Sequence, residues 1–175
     1  MITTAIFDVD GTLTDHRVLY IDGPDGGKRA RFFDIRDGQG ISRLKQAGIV
    51  VWIISGESDA HIFDRVEKLD IECALGVGDK LEVLSRMGIP GENIAYMGDD
   101  TNDLEAMAFC RLVGCPSDAS LDVRKHVFGR GGYLSLKVGG NGAVAEFCDY
   151  ILGANRVTAE NHDGEGDENG TQSVR

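Results

Sequence analysis

Apolar residues along this chain fall into two patterns that take turns. The first is the short uninterrupted run. Ile2 to Phe7 is one and Ile49 to Ile54 is another. Runs of that length without polar alternation predict strands covered on both faces, as in a parallel sheet. Shorter strands are predicted around 73–75, at Ile94 to Met97 and around 111–114. The second pattern recurs every three or four residues. After Ile35-Arg36-Asp37-Gly38 it picks out Ile41, Leu44 and Ala47, and Gly48 supplies a stop. Similar periodicity predicts helices over about 58–69, 79–88 and 101–109. Strand and helix alternating in this way imply an α/β fold, a doubly wound (Rossmann-like) parallel sheet with helices on both faces.

Three stretches depart from the alternation. Val18 to Ile21 and Arg29 to Phe33 are strand-like and flank the turn-rich Asp22-Gly23-Pro24-Asp25-Gly26-Gly27. They predict a β-hairpin over about 16–35 that projects from the body. Residues 129–142 are rich in glycine and predict a loop with one short strand, followed by a last helix over about 142–152. From Ala154 the chain turns polar, and a disordered acidic tail is expected over 154–175, leaving 1–153 as one domain.

Composition narrows the partners. The 175 residues carry a net charge of −11 and hold no basic stripe, which argues against a nucleic acid or an anionic membrane surface. An acidic protein that takes an anionic substrate needs a local cation, and a bound metal with one well-placed lysine would supply it. The four cysteines, Cys73, Cys110, Cys115 and Cys148, lack the spacing of a zinc site and suit reduced thiols better than a disulfide framework. Strand-like sequence begins directly after Met1, with no basic leader and no long apolar span, so the cytoplasm is the expected location.

Candidate chemistry gathers where strands end. The first run stops at Asp8-Val9-Asp10-Gly11-Thr12. Two carboxylates so close repel each other unless a cation lies between them or one stays protonated. Either this is a hard-cation site, suited to Mg²⁺, with one carboxylate free to attack and its neighbour free to move a proton, or it is a polar turn that carries two aspartates. Ser55-Gly56 follows the second long strand and can hold a phosphate or cap a helix. Lys80 begins a helix, where its charge opposes the helix dipole, and is either recruited to a site or merely exposed. Gly98-Asp99-Asp100-Thr101-Asn102-Asp103 follows a further strand and offers metal ligands or helix caps.

Taken together, Asp8-Val9-Asp10-Gly11-Thr12, Ser55-Gly56, Lys80 and Gly98 to Asp103 resemble the four motifs of the haloacid dehalogenase superfamily. A narrower likeness covers about residues 3–152. The hairpin in place of a large cap, Arg36-Asp37-Gly38-Gln39-Gly40-Ile41, Gly78-Asp79-Lys80 and Gly139 to Val144 resemble the 3-deoxy-D-manno-octulosonate 8-phosphate phosphatases. That group is similar in turn to the nonulosonate 9-phosphate phosphatases and to the C-terminal domain of some sialic acid cytidylyltransferases. The resemblance implies a capless, Mg²⁺-dependent phosphatase of a phosphosugar acid, assembled as a homotetramer. It implies Asp8 as nucleophile and Asp10 as acid and base. The metal would be held by Asp8, the Asp10 carbonyl and Asp99, and the phosphate by Ser55, Gly56 and Lys80. Asp100 and Asp103 would orient metal waters or Lys80. Arg36, Asp37 and Glu57 would meet the sugar, although Arg36 and Asp37 also read as a salt-bridged helix start.

Two positions differ from the octulosonate pattern. Glu57 stands where that family usually has arginine, a Gly-Glu pair closer to the nonulosonate branch, and Asn141 stands where it has arginine. Two other functional classes compete. A receiver domain would want its acidic pair and its phosphorylated aspartate on different strands, which the Asp8–Asp10 spacing does not fit. A catalytically silent oligomerisation module would be expected to have lost acidic motif residues, and Asp8, Asp10, Lys80 and Asp99 are all present.

Overall fold

The computed structural model describes residues 1–21 and 28–164. Its main sheet has six parallel strands in the order β5-β4-β1-β6-β7-β8. They are β1 (Thr4–Phe7), β4 (Val50–Ser55), β5 (Glu72–Leu75), β6 (Ile94–Met97), β7 (Leu112–Cys115) and β8 (Tyr133–Leu134). Strand β1 lies in the middle, with Phe7 in register with Ile53 on one side and Met97 on the other. The residues that follow these strands therefore leave the sheet along one edge, the carboxyl end where ligands of such folds bind.

Both faces of the sheet are covered, and strand alternation assigns each residue to a face. Ala5, Phe7, Val51, Ile53, Ala95 and Met97 pack with α1 (Ile35–Gln46), α2 (Ala60–Leu69) and α6 (Ala143–Gly164). Ile6, Ile54, Ile94, Tyr96 and Val113 pack with α3 (Lys80–Arg86), α4 (Leu104–Phe109) and α5 (Leu121–Gly129). The four cysteines are free, Cys73 half-buried and the others buried. Among the described residues, no helix is long and apolar enough to cross a membrane.

The hairpin forms a separate two-stranded sheet, β2 (Leu19–Ile21) antiparallel to β3 (Lys28–Ala30). Its expected turn, 22–27, lies outside the described residues.

The helices cover more of the chain than the periodicity predicts. Helix α5 occupies a stretch for which no element is predicted, because only Val123 and Val127 are buried and Asp122, Arg124 and Lys125 dilute its apolar stripe. Helix α6 runs to Gly164, past the expected end near 152 and into the stretch expected as a tail. Asn155 explains part of this. Its amide donates to the Ile2 carbonyl and accepts from the Ile2 N–H, both at 2.7 Å, tying a polar stretch of helix to the start of β1. Residues 165–175 lie outside the described residues.

Candidate active site

Strand β1 delivers Asp8 to the sheet edge, where its N–H donates to the Met97 carbonyl at 3.0 Å. The chain then turns sharply. Gly11 has φ +83°, and a Cβ there would stand 2.2 Å from Asp99 Oδ2, so only glycine permits both the turn and the approach of Asp99. Thr12 Oγ1 donates to Asp99 Oδ1 at 3.1 Å. The glycine-rich segment supports this loop from behind. Gly140 N–H donates to the Thr12 carbonyl at 3.0 Å, and a Cβ on Gly139 would overlap the Gly11 carbonyl.

The other motifs converge on the same edge. Ser55, the last residue of β4, is buried and accepts from the Glu57 N–H at 3.1 Å. It does not cap α2, since Asp59 does so by accepting from Ile62 N–H. Lys80 is not a surface lysine. It is buried, its ammonium 2.8 Å from Asp8 Oδ1 and 2.7 Å from Asp103 Oδ1. Asp103 is saturated: Oδ1 also accepts from the Tyr96 hydroxyl at 2.8 Å, and Oδ2 accepts from the N–H groups of Asp99 and Asp100 at 3.0 and 3.3 Å. Asp100 is exposed and caps the turn at Thr101.

These groups border a cleft of about 440 Å³ lined in part by Asp8, Asp10, Ser55, Gly56, Glu57 and Asp99. A second cavity, of about 330 Å³, opens at the other end of the strands beside Lys45, Ile49 and Asp70. There the Lys45 ammonium is occupied by the Leu69 and Asp70 carbonyls at the end of α2. It offers no comparable chemistry.

The electrostatics of the cleft call for a cation. Burial, and then the nearby Asp103, push the carboxyl groups of both Asp8 and Asp99 up to about 7, with Lys80 offsetting only part of this. Lys80 responds in the opposite sense. Burial pulls its pKa down, but Asp8 and Asp103 prevail and raise it above the ordinary lysine value. Oxygens of Asp8, Asp99 and Asp103 lie within 4.8 Å of one another. Asp103 is already spoken for, so Asp8 and Asp99 are the carboxylates left to bind an ion. An all-oxygen donor set with excess negative charge fits Mg²⁺. The Asp10 carboxylate points elsewhere, accepting from Arg31 Nε at 2.7 Å.

Two expected sugar contacts stand outside the cleft. Arg36 pairs with Asp34 and donates to Asn141, reaching its carbonyl at 3.0 Å and its side chain at 2.8 Å. Asp37 is fully buried, and its Oδ1 accepts from Ala145 N–H at 2.8 Å at the start of α6. Both hold the glycine-rich segment and α6 against α1. Glu57 does reach the cleft, exposed at its mouth.

Two site residues escaped the motifs, His16 and Arg31, and a third, Thr12, stands in the first motif without an assigned role. Thr12 ties the loop after β1 to Asp99. His16 places Nδ1 3.6 Å from Asp99 and Nε2 3.5 Å from Asp118. Arg31 lines the cleft with its side chain buried. Its only signal in the sequence was a guanidinium inside an apolar strand-like run, where burial demands a carboxylate partner.

No family model matches the chain. It is 34% identical over 154 residues to the 3-deoxy-D-manno-octulosonate 8-phosphate phosphatase of Haemophilus influenzae, covering 85% of this chain and 82% of that one. The cobalt-bound structure of the H. influenzae phosphatase superposes with a TM-score of 0.77 over 87% of this chain and 88% of that chain, at 34% identity. The Moraxella catarrhalis phosphatase, solved with a magnesium ion, a phosphate ion and a KDO molecule, superposes with a TM-score of 0.79. It is 34% identical, over 93% of this chain and 92% of that one.

Proposed function

The chain belongs to the 3-deoxy-D-manno-octulosonate 8-phosphate phosphatase family of the haloacid dehalogenase superfamily, and from that premise we propose that it hydrolyses a phosphorylated 2-keto-3-deoxy sugar acid through an aspartyl phosphate on Asp8. The observation that carries the reading is the buried cluster of Asp8, Lys80 and Asp99 at the carboxyl edge of the central strands. We read residues 1–164 as one catalytic domain that carries the β2–β3 flap.

A carboxylate oxygen of Asp8 attacks phosphorus as the bond to the sugar oxygen breaks, and Asp10 gives that oxygen its proton. Asp10 then takes a proton from the water that attacks the aspartyl phosphate, which releases phosphate and restores Asp8. Ser55 Oγ, Gly56 N–H and Lys80 hold the oxygens that carry the developing charge. Mg²⁺ would be held by the carboxylates of Asp8 and Asp99 and the Asp10 carbonyl, and would supply charge neutralisation for the phosphoryl group. Asp103 acts through its four hydrogen bonds, fixing Lys80 and the backbone that presents Asp99. Asp100 caps the turn that carries this backbone.

The relatives support octulosonate 8-phosphate as the substrate. Glu57 at the cleft mouth favours a second reading, nonulosonate 9-phosphate, since a carboxylate there would accept hydrogen bonds from extra sugar hydroxyls. Hydrolysis of the two compounds side by side, with Mg²⁺ and with EDTA, tests both. Metal-dependent turnover of either, abolished in Asp8→Asn, supports the mechanism, and the ratio of the two kcat/KM values names the substrate. No turnover of either compound, or of an aryl phosphate, would leave the oligomerisation module as the better reading.

We also propose a cytoplasmic homotetramer. Leu19, Tyr20 and Ile21 expose apolar side chains on a two-stranded hairpin that joins no larger sheet, an arrangement too small to be stable without further packing. Light scattering on the purified chain measures the assembly directly.

A further inference from the structure

Arg31 follows β3 at the base of the flap, and only 2% of its side chain is exposed. Its Nε donates to Asp10 Oδ1 at 2.7 Å, its Nη2 reaches Asp10 Oδ2 at 3.4 Å, and its Nη1 pairs with Asp59 Oδ2. Asp59 is itself fixed, since its Oδ1 caps the first turn of α2. A carboxylate–guanidinium–carboxylate bridge thus runs from a rigid helix start, through the flap, to Asp10. Among the described residues, the Asp10 carboxylate accepts no hydrogen bond from any group but Arg31. It is 37% exposed, so packing does not set its rotamer either.

We propose that Arg31 is a positioning residue that orients Asp10 for proton transfer and makes that orientation depend on the seating of the flap. The proposal rests on the reading of Asp10 as the acid and base. A bidentate guanidinium holds a carboxylate in one plane, whereas an ammonium or a water would leave it free to rotate. Nε, Nη1 and Nη2 each reach a protein carboxylate and the side chain is buried, so the geometry directs the group to Asp10 and Asp59.

The test uses the full chain, with whichever sugar-acid phosphate the wild type hydrolyses and with p-nitrophenyl phosphate, whose phenolate leaves without a proton. Arg31→Met should lower kcat on the sugar phosphate by ~30-fold or more, the scale of general acid catalysis, while KM stays within about threefold. The loss with p-nitrophenyl phosphate should be about tenfold smaller, because its leaving group needs no acid. Adding Arg31→Met to Asp10→Asn should slow p-nitrophenyl phosphate turnover by no more than about threefold beyond Asp10→Asn alone, since a residue that acts through Asp10 has nothing left to position.

Arg31→Lys keeps the charge without the fork and should recover part of the loss. It carries the same comparison if circular dichroism shows the methionine variant unfolded. Equal losses on both substrates, a raised KM with kcat retained, or multiplying losses in the double variant would overturn the proposal. Wild-type inactivity on every phosphate ester would overturn the phosphatase reading itself, and this proposal with it.

Discussion

The Lys80 ammonium stands 2.8 Å from the Asp8 carboxylate, and the two side chains are only 3% and 8% exposed. The same ammonium is shared with Asp103, whose side chain is fully buried. Removing it strands two carboxylates in a low-dielectric interior. Lys80→Met should therefore cost about 3 kcal/mol or more of folding stability in metal-free buffer, against under about 1 kcal/mol for a surface pair such as Arg86–Glu82. Denaturant melts check this, and a loss no larger than that of Arg86→Met would refute it. Phosphatase activity should fall at least about 100-fold, because a charge aimed at the transferring phosphoryl group is lost.

Asp8 and Asp99 each titrate near 7 in the folded protein, above the ordinary carboxylate value of 3.8. A group whose pKa is raised by folding stabilises the fold fully below its unfolded pKa, and that contribution fades as pH rises through the folded pKa. In EDTA these two groups make the melting temperature fall from about pH 4 to about pH 7. Mg²⁺ needs both carboxylates ionised, so the stabilisation it adds should grow over the same range, and its binding near neutral pH should release protons. Thermal melts with and without Mg²⁺ measure the first effect, and calorimetry in buffers of different ionisation enthalpy measures the second. An equal Mg²⁺ increment at both ends of the range would count against Asp8 and Asp99 as ligands.

Gly11→Ala is a sharper probe of the same site. Its methyl would meet Asp99 Oδ2 at 2.2 Å in a left-handed backbone, so Asp99 has to move. Mg²⁺ affinity should weaken at least about tenfold, the scale seen when a ligand loses its support. Titration calorimetry gives the number, and unchanged affinity would mean that Asp99 is not held by this contact.

Asp37 separates structure from recognition. Asp37→Ala removes the acceptor for Ala145 N–H at the start of α6 and should cost about 1–2 kcal/mol, as for other lost helix caps. KM for the phosphosugar should stay within about threefold, since among the described residues Asp37 does not line the cleft. A KM raised tenfold or more with stability intact would restore the sugar-binding role expected from sequence.

Glu57 is exposed at the cleft mouth, so Glu57→Arg should shift stability by less than about 0.5 kcal/mol. It should also shift the kcat/KM ratio toward octulosonate 8-phosphate. Competition between the two substrates reads the change, and an unmoved ratio would remove Glu57 from the specificity argument.

Much of this protein was legible along the chain because the information was local. Burial on both faces writes β1 and β4 as unbroken apolar runs. Acidic and hydroxyl residues at the ends of such runs mark one sheet edge before any contact is known. Asp8, Ser55, Lys80 and the acidic cluster from Asp99 to Asp103 stood out in that way, each from its position after a strand or at a helix start, whereas the choice of Asp99 within the cluster came from the resemblance to the family. Where the local signal was weak, the reading failed. Helix α5 has a two-residue apolar stripe, and the polar part of α6 beyond Leu152 carries an asparagine, Asn155, that bonds to Ile2, 153 positions away.

The partners of each charge were decided only by the tertiary structure. Nothing in the sequence says that Arg31 meets Asp10 and Asp59, that Asp103 spends its oxygens on Lys80, Tyr96 and two backbone N–H groups, or that Arg36 turns to Asn141. A strand or helix follows from the periodicity of its own residues. An ion pair depends on which elements the fold brings within about 4 Å in a low dielectric, where one buried charge compels another to face it.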